Sequence, residues 1–202
     1  MQYAHNAHTL LLTLVVLVFF SVPGLAQVET QGSITKIENY FEKLQTMRAN
    51  FVQMNQDGTI YKGKFYLLRP NKFRLDYTDP STLLVLSDGN SVINYDSDIG
   101  DPGYISIDST PAYFILQRHV KLSGDITVSS LLPGENTLRA TLVKTKDSQM
   151  GSLTLIFTNQ PFQLKAWIVL DSQGTKTQTV LSDIQENIAL DHRLFRFYKM
   201  RH

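Results

Sequence analysis

The sequence predicts an α+β domain: a meander of about ten short antiparallel strands, curled by strand twist towards a barrel, with two helices covering its apolar face. Three observations predict it. Apolar residues recur with a period of two over most of the chain after Asn50, turn signals separate the alternating runs, and two windows of helical period stand apart from them.

The first window runs from Ser33 to Arg48, where Ile34, Ile37, Tyr40, Phe41, Leu44 and Met47 recur at steps of three and four and Ser33 is a suitable N-cap. Strands follow. In Tyr61–Arg69 one face carries Tyr61, Gly63, Phe65, Leu67 and Arg69; in Lys72–Tyr77, Phe73, Leu75 and Tyr77 oppose Lys72, Arg74 and Asp76. The alternation returns at Leu138/Ala140/Leu142, at Leu153/Leu155/Phe157 and at Leu164/Ala166/Ile168/Leu170. Asp57-Gly58, Asp88-Gly89-Asn90 and Asp171-Ser172-Gln173-Gly174 are the turns between them. The second helical window, Thr110 to Val120, interrupts the meander: Pro111 suits a first helical turn, and Tyr113, Phe114, Leu116 and Val120 supply apolar surface. Whether the helices fill the curl decides between a solid core and a cavity.

Composition narrows the function. The 202 residues, 43% of them hydrophobic, suffice for one core, and no repeat or linker divides them. A net charge of +1 without a long basic run leaves no broad electropositive face, so nucleic acid is not expected as a partner. The absence of cysteine excludes disulfides, thiolate metal sites, cysteine nucleophiles and lipid attachment through an N-terminal cysteine. Leu10–Phe20 is an eleven-residue apolar run followed by Ser21-Val22-Pro23-Gly24-Leu25-Ala26, the layout of a secretory signal, although only the amino terminus, His5 and His8 can charge its start. The expectation is cleavage after Ala26, a signal over residues 1–26, one domain over 27–202, and work outside the cytoplasm.

Signatures of catalysis are missing: no Gly-x-Ser-x-Gly elbow, phosphate-cradling loop, dinucleotide fingerprint or His-Glu-x-x-His occurs. After Ala26 the histidines are His119, His192 and His202, too scattered to suggest a metal site, and the loose acidic run Asp96, Asp98, Asp101, Asp108 lacks calcium-loop spacing. Neither an enzyme nor a cofactor or metal is expected. Arg69 stands out, because alternation puts it on the inward face beside Phe65 and Leu67, just before Pro70. Either the strand has ended and Arg69 points to water, or its guanidinium bonds carbonyls of a covering segment, since burying it unpaired is costly.

These residues carry a resemblance. Phe51-Val52-Gln53, Gly63-Lys64-Phe65, Arg69-Pro70-Asn71-Lys72-Phe73-Arg74-Leu75-Asp76-Tyr77, Pro80, Ser87-Asp88-Gly89 running into Tyr95-Asp96, and Thr110-Pro111 opening an apolar helix resemble the periplasmic outer-membrane lipoprotein carrier family, LolA. The likeness covers roughly residues 34 to 120; beyond, Leu194-Phe195-Arg196-Phe197 resembles the family's closing strand, and Leu75 and Ile93 stand where the family often has tryptophan. The resemblance implies an open, incomplete barrel of ten to eleven strands whose concave face shelters acyl chains under a helical lid. It implies acylated lipoproteins as cargo, an inner-membrane release complex and an outer-membrane receptor as partners, and a monomeric periplasmic carrier; the related receptor is anchored through a lipidated cysteine, absent here. It makes Arg69 the lid clamp and puts Phe73 in the hydrophobic region tied to cargo handling; together with the apolar faces read above, the expected acyl-chain lining is Phe51, Phe65, Leu67, Phe73, Leu75, Ile93, Phe114, Leu116, Leu153, Leu155 and Phe157. A lipid-binding or sensor module of similar fold with another hydrophobic ligand is the alternative.

Overall fold

The computed structural model describes residues 23–78 and 81–198. The apolar run of the expected signal lies outside them. Helix α1 (Pro23–Lys43) leads into strand β1 (Thr46–Asn55). Strands β2 (Ile60–Leu68), β3 (Lys72–Tyr77), β4 (Leu83–Asp88), β5 (Ser91–Asp96) and β6 (Gly103–Ser106) follow by hairpins. The short helix α2 (Tyr113–Leu116) separates them from β7 (Ile126–Pro133), β8 (Thr137–Lys144), β9 (Ser152–Asn159), β10 (Phe162–Leu170) and β11 (Lys176–Glu186). A 3-10 turn, His192–Phe195, closes the described chain.

All eleven strands form one antiparallel sheet in the order β6-β5-β4-β3-β2-β1-β11-β10-β9-β8-β7. Its edges, β6 and β7, do not pair, so the barrel is open. The order has a direct consequence. The chain builds outward from β1 to one edge and then restarts at the opposite edge, so the connection from 107 to 125 has to cross the sheet. It crosses on the apolar side, where Ile107, Phe114, Leu116, Val120 and Leu122 join Ile37, Phe41 and Leu44 of the α1 region in one buried cluster with the inward residues of the strands. Helix and crossover together cover the concave face.

Three expectations are corrected. The first helix starts ten residues before Ser33, with Pro23 in the first turn, where a missing N–H costs no hydrogen bond, and it ends at Lys43 rather than Arg48. Thr46 begins the ladder to β2 and β11, so Met47 packs from a strand. The second helix is a single turn, because Gln117 turns to extended backbone (ψ 152°). The expected closing strand at 194–197 is instead a 3-10 turn and an extended tail on the outer face.

That tail creates a second, smaller core. Phe195 is buried beside Leu86, Ile93 and Tyr95, which point away from the concave side, and Arg74 Nη1 holds the Leu194 carbonyl oxygen at 3.0 Å. Phe197 meets the Tyr95 ring edge-on at 5.1 Å.

Candidate functional site

Between the concave face and the crossover lies an apolar cavity of about 180 Å³. Its wall is built strand by strand. Phe65 and Leu67 face it from β2, Phe73 and Leu75 from β3, Val85 from β4, Leu153 from β9, and Leu164, Trp167 and Val169 from β10; Ala112, Ile115 and Leu116 close it from the crossover. Gln53, Thr177 and Thr179, on β1 and β11, are its polar lining residues. Period-two alternation aims each wall residue inward. Register then sets them side by side, with Leu75 opposite Phe65 and Phe73 opposite Leu67.

Of the expected lining, Phe65, Leu67, Phe73, Leu75, Leu116 and Leu153 meet in this wall. Phe51, Phe114, Leu155 and Phe157 do not reach it; they are buried in the packing around it. Ile93 is corrected outright. It lies on the outer face under Phe195, because β5 turns Val92, not Ile93, towards the main core.

The expected inward set Leu164/Ala166/Ile168/Leu170 is corrected as well. Leu164 pairs with Phe157 but Ala166 pairs with Ile156, so Lys165 is an extra residue, a bulge. Past the bulge the parity flips: Trp167 and Val169 face the cavity, opposite Leu155 and Leu153, and Leu170 is exposed. Trp167 meets the Phe65 ring at 5.1 Å across the cavity wall.

The two covers are held differently. Tyr40 of α1 is edge-on to Phe157 and Phe162, whose rings stack at 4.7 Å, and its hydroxyl donates to Glu186 Oε1 at 2.6 Å and accepts from the Leu164 N–H at 3.3 Å. Burial and the Glu186 carboxylate push the Tyr40 pKa above its ordinary value, so the hydroxyl stays a donor. Aromatic packing thus anchors α1.

The crossover is held through its main chain. Arg69, 6% exposed, lies just past β2; its Nη2 donates to the carbonyls of Gln117 (2.6 Å) and Arg118 (3.4 Å), and its Nη1 to that of Leu44 (3.0 Å). The Asn71 N–H takes the Leu116 carbonyl at 2.8 Å. Three successive carbonyls at the end of α2 are therefore held by the β2–β3 turn. Arg69 faces Phe41 at 5.6 Å, its Nε has no hydrogen-bond partner among the described residues, and burial lowers its pKa, partly offset by Glu42; a guanidinium remains charged regardless. The crossover's far end adds weaker ties to α1, from the Leu122 N–H to Glu38 Oε1 (2.8 Å) and between His119 and Glu42 (3.2 Å).

Among the described residues no cluster of three potential metal ligands occurs, and no helix is long and apolar enough to cross a membrane. An apolar cavity beneath the crossover can exclude water from an apolar guest.

Comparison with known proteins agrees with this geometry. Residues 42–198 match the family described as outer membrane lipoprotein carrier protein LolA. An outer-membrane lipoprotein carrier protein of Pseudomonas aeruginosa is 26% identical over 183 residues, covering 86% of this chain and 87% of the relative. That of Leptothrix cholodnii is 29% identical over 185 residues, covering 86% and 84%. Among solved structures, a DUF1329 family protein from Desulfovibrio piger superposes with a TM-score of 0.51 at 11% identity, over 84% of this chain and 97% of the other, a likeness of fold alone.

Proposed function

The chain belongs to the LolA family of outer-membrane lipoprotein carriers, and from that membership we propose that it shelters the acyl chains of lipoproteins between an inner-membrane release complex and an outer-membrane receptor. In this reading it is secreted across the inner membrane on its N-terminal signal, works as a monomer in the periplasm, and binds without turning its cargo over. The observation that carries the proposal is the apolar cavity beneath a crossover tied down by main-chain hydrogen bonds.

The energetics fit such a role. Leaving a sixteen-carbon chain in water costs on the order of 12 kcal/mol at about 0.8 kcal/mol per methylene. The closed cavity is small for it: a cavity of roughly 150 Å³ holds a benzene, and about 180 Å³ seats only a fragment of the chain. Loading therefore requires the cover to move. Of the two covers, the crossover gives way more readily, since its hydrogen bonds, each worth about 1 to 3 kcal/mol, are small against acyl burial, whereas α1 would surrender an aromatic cluster. Closed, this flap also hides the apolar wall that would otherwise promote association. With no nucleotide-binding motif in the sequence, handover runs down a gradient of affinity from carrier to receptor.

The test is direct. The chain, expressed with its leader and purified from periplasm after supply by the release complex, is analysed by mass spectrometry for bound acylated protein. Stoichiometric lipoprotein is expected; recovery free of acylated cargo defeats the proposal, and a different lipid found in its place redirects it.

A further inference from the structure

The cavity is not uniform. Gln53, Thr177 and Thr179 sit together on the sheet, Gln53 paired with Thr179 across β1 and β11, while Trp167 and Val169 pair with Thr179 and Thr177 from the other side. Towards the opposite end of the sheet, where Leu67 of β2 pairs with Met47, stand Leu67, Arg69 and the flap. At the clamp end Leu67, Arg69 and Leu116 are all buried; Gln53 and Thr177 at the polar end are part-exposed, as are Leu75, Val85 and Ile115 elsewhere in the wall.

Thr179 is the informative residue. It is 1% exposed, it lines the cavity, and among the described residues its hydroxyl makes no hydrogen bond; nor does that of Thr177. Gln53 is held in place, accepting from the Tyr77 hydroxyl at 2.8 Å and donating to Asn55 Oδ1 at 2.8 Å, which leaves one amide hydrogen and further acceptor capacity unspent. A buried hydroxyl facing an apolar cavity without a partner costs stability, and an apolar side chain of the same shape would not.

We infer that Gln53, Thr177 and Thr179 form a subsite for the ester and hydroxyl groups at the head of an acylated glycerol, so that a guest lies with its chain towards Arg69 and its head at the Gln53 end. The inference rests on the carrier reading and adds orientation to it. Both hydroxyls can donate to an ester carbonyl and accept from a glycerol hydroxyl, and the Gln53 amide can donate. The head then meets the part-exposed Gln53 and Thr177, where the polar remainder of the guest continues into solvent, and the flap covers only hydrocarbon.

The experiment compares two probes on the intact domain: 1-palmitoylglycerol, which has the head, and diphenylhexatriene, a pure hydrocarbon. Dissociation constants are measured for the parent, Thr177→Val, Thr179→Val and, as the hydroxyl-retaining control, Thr179→Ser. Each valine variant should shift the ratio of the two constants two- to tenfold against 1-palmitoylglycerol, the worth of one hydrogen bond, and Thr179→Ser should keep the parent's ratio. Because both probes report on the same folded fraction, partial unfolding does not mimic the shift. An unchanged ratio in both valine variants, or an equal shift in Thr179→Ser, overturns the subsite. A parent that binds neither probe overturns the carrier reading itself.

Discussion

Arg69 Nη2 donates to the Gln117 carbonyl oxygen at 2.6 Å, joining the end of a central strand to the end of α2, midway along the segment that crosses the sheet. The residues are 48 apart in sequence, and topology makes them meet: β6 and β7 lie on opposite edges, so the chain between them must pass over the middle of the sheet, where β2 ends. A guanidinium is suited to that point because its fixed fork reaches carbonyls of Leu44, Gln117 and Arg118 at once.

Removing that fork should bias the flap without dismantling the sheet. Charged-group hydrogen bonds are worth about 1.5 to 3 kcal/mol each, so Arg69→Leu should raise the open population at least tenfold. Affinity for an acyl probe should then rise by the same factor, about tenfold or more, since less is spent on opening, and transfer to a receptor should slow because closure no longer drives release. Probe titration and a transfer assay check both. Unaltered affinity together with unaltered transfer would mean that the bonds to Gln117 and Arg118 do not gate the cavity.

Trp167, the only tryptophan in the chain, lines the cavity with its ring 5.1 Å from Phe65. Its fluorescence is a built-in reporter: acyl guests should shift the emission to shorter wavelength in a saturable titration as the indole loses contact with water. Binding detected by another method with no change in emission would put the guest elsewhere.

What could be read in the sequence, and what could not, follows from where alternation holds. Phe65, Leu67 and Phe73 were legible because β2 and β3 pair without interruption, so parity maps onto faces. Trp167 and Val169 were hidden by one extra residue at Lys165, and nothing in Leu164–Leu170 marks the bulge because apolar residues occupy both parities. Ile93 enters the expected lining at a position where the resembled family often has tryptophan, and alternation does not correct it: β5 is apolar on both faces, Val92 inward and Ile93 with Tyr95 outward, since the tail at Phe195 covers the outside. Gln53, Thr177 and Thr179 carry no such signal, because polar residues in an alternating strand ordinarily face water. The short α2 was beyond local reasoning, since the carbonyls past its end are held by residues far away in the chain, Arg69 and Asn71.

Gly63 tests how tightly the wall is built. A Cβ there would collide with the Asp76 carbonyl oxygen and the Phe51 ring, which stacks edge-on against Tyr77 at 5.1 Å. The strand cannot step back, because Gly63 is paired on both sides, with Phe51 and with Tyr77. Gly63→Ala should lower stability by about 1 to 3 kcal/mol, as overpacking does, read as a lower urea midpoint at unchanged slope. A neutral or stabilising result would show that the β2–β3 pairing can shift to clear the Asp76 carbonyl as well as the Phe51 ring.

Tyr77 predicts the alkaline limit of the fold. Burial pushes its hydroxyl up to about 12, against an ordinary value near 10, and in the neutral form it donates to Gln53 Oε1. The sign follows from the raised folded value: stability contributed by the neutral form is fully present below about pH 10 and is lost as the pH rises to about 12, where the folded phenol also ionises. The loss is on the order of 2 to 3 kcal/mol for a shift of that size. Tyr77→Phe forgoes the Gln53 bond at every pH but has no proton to lose, so its stability should fall less than the parent's between pH 9 and pH 11.5. Every other side chain is common to both proteins, so the difference between the two curves isolates Tyr77. Parallel curves in urea melts across that range would show that the Tyr77 hydroxyl is better solvated than its place beside Gln53 implies.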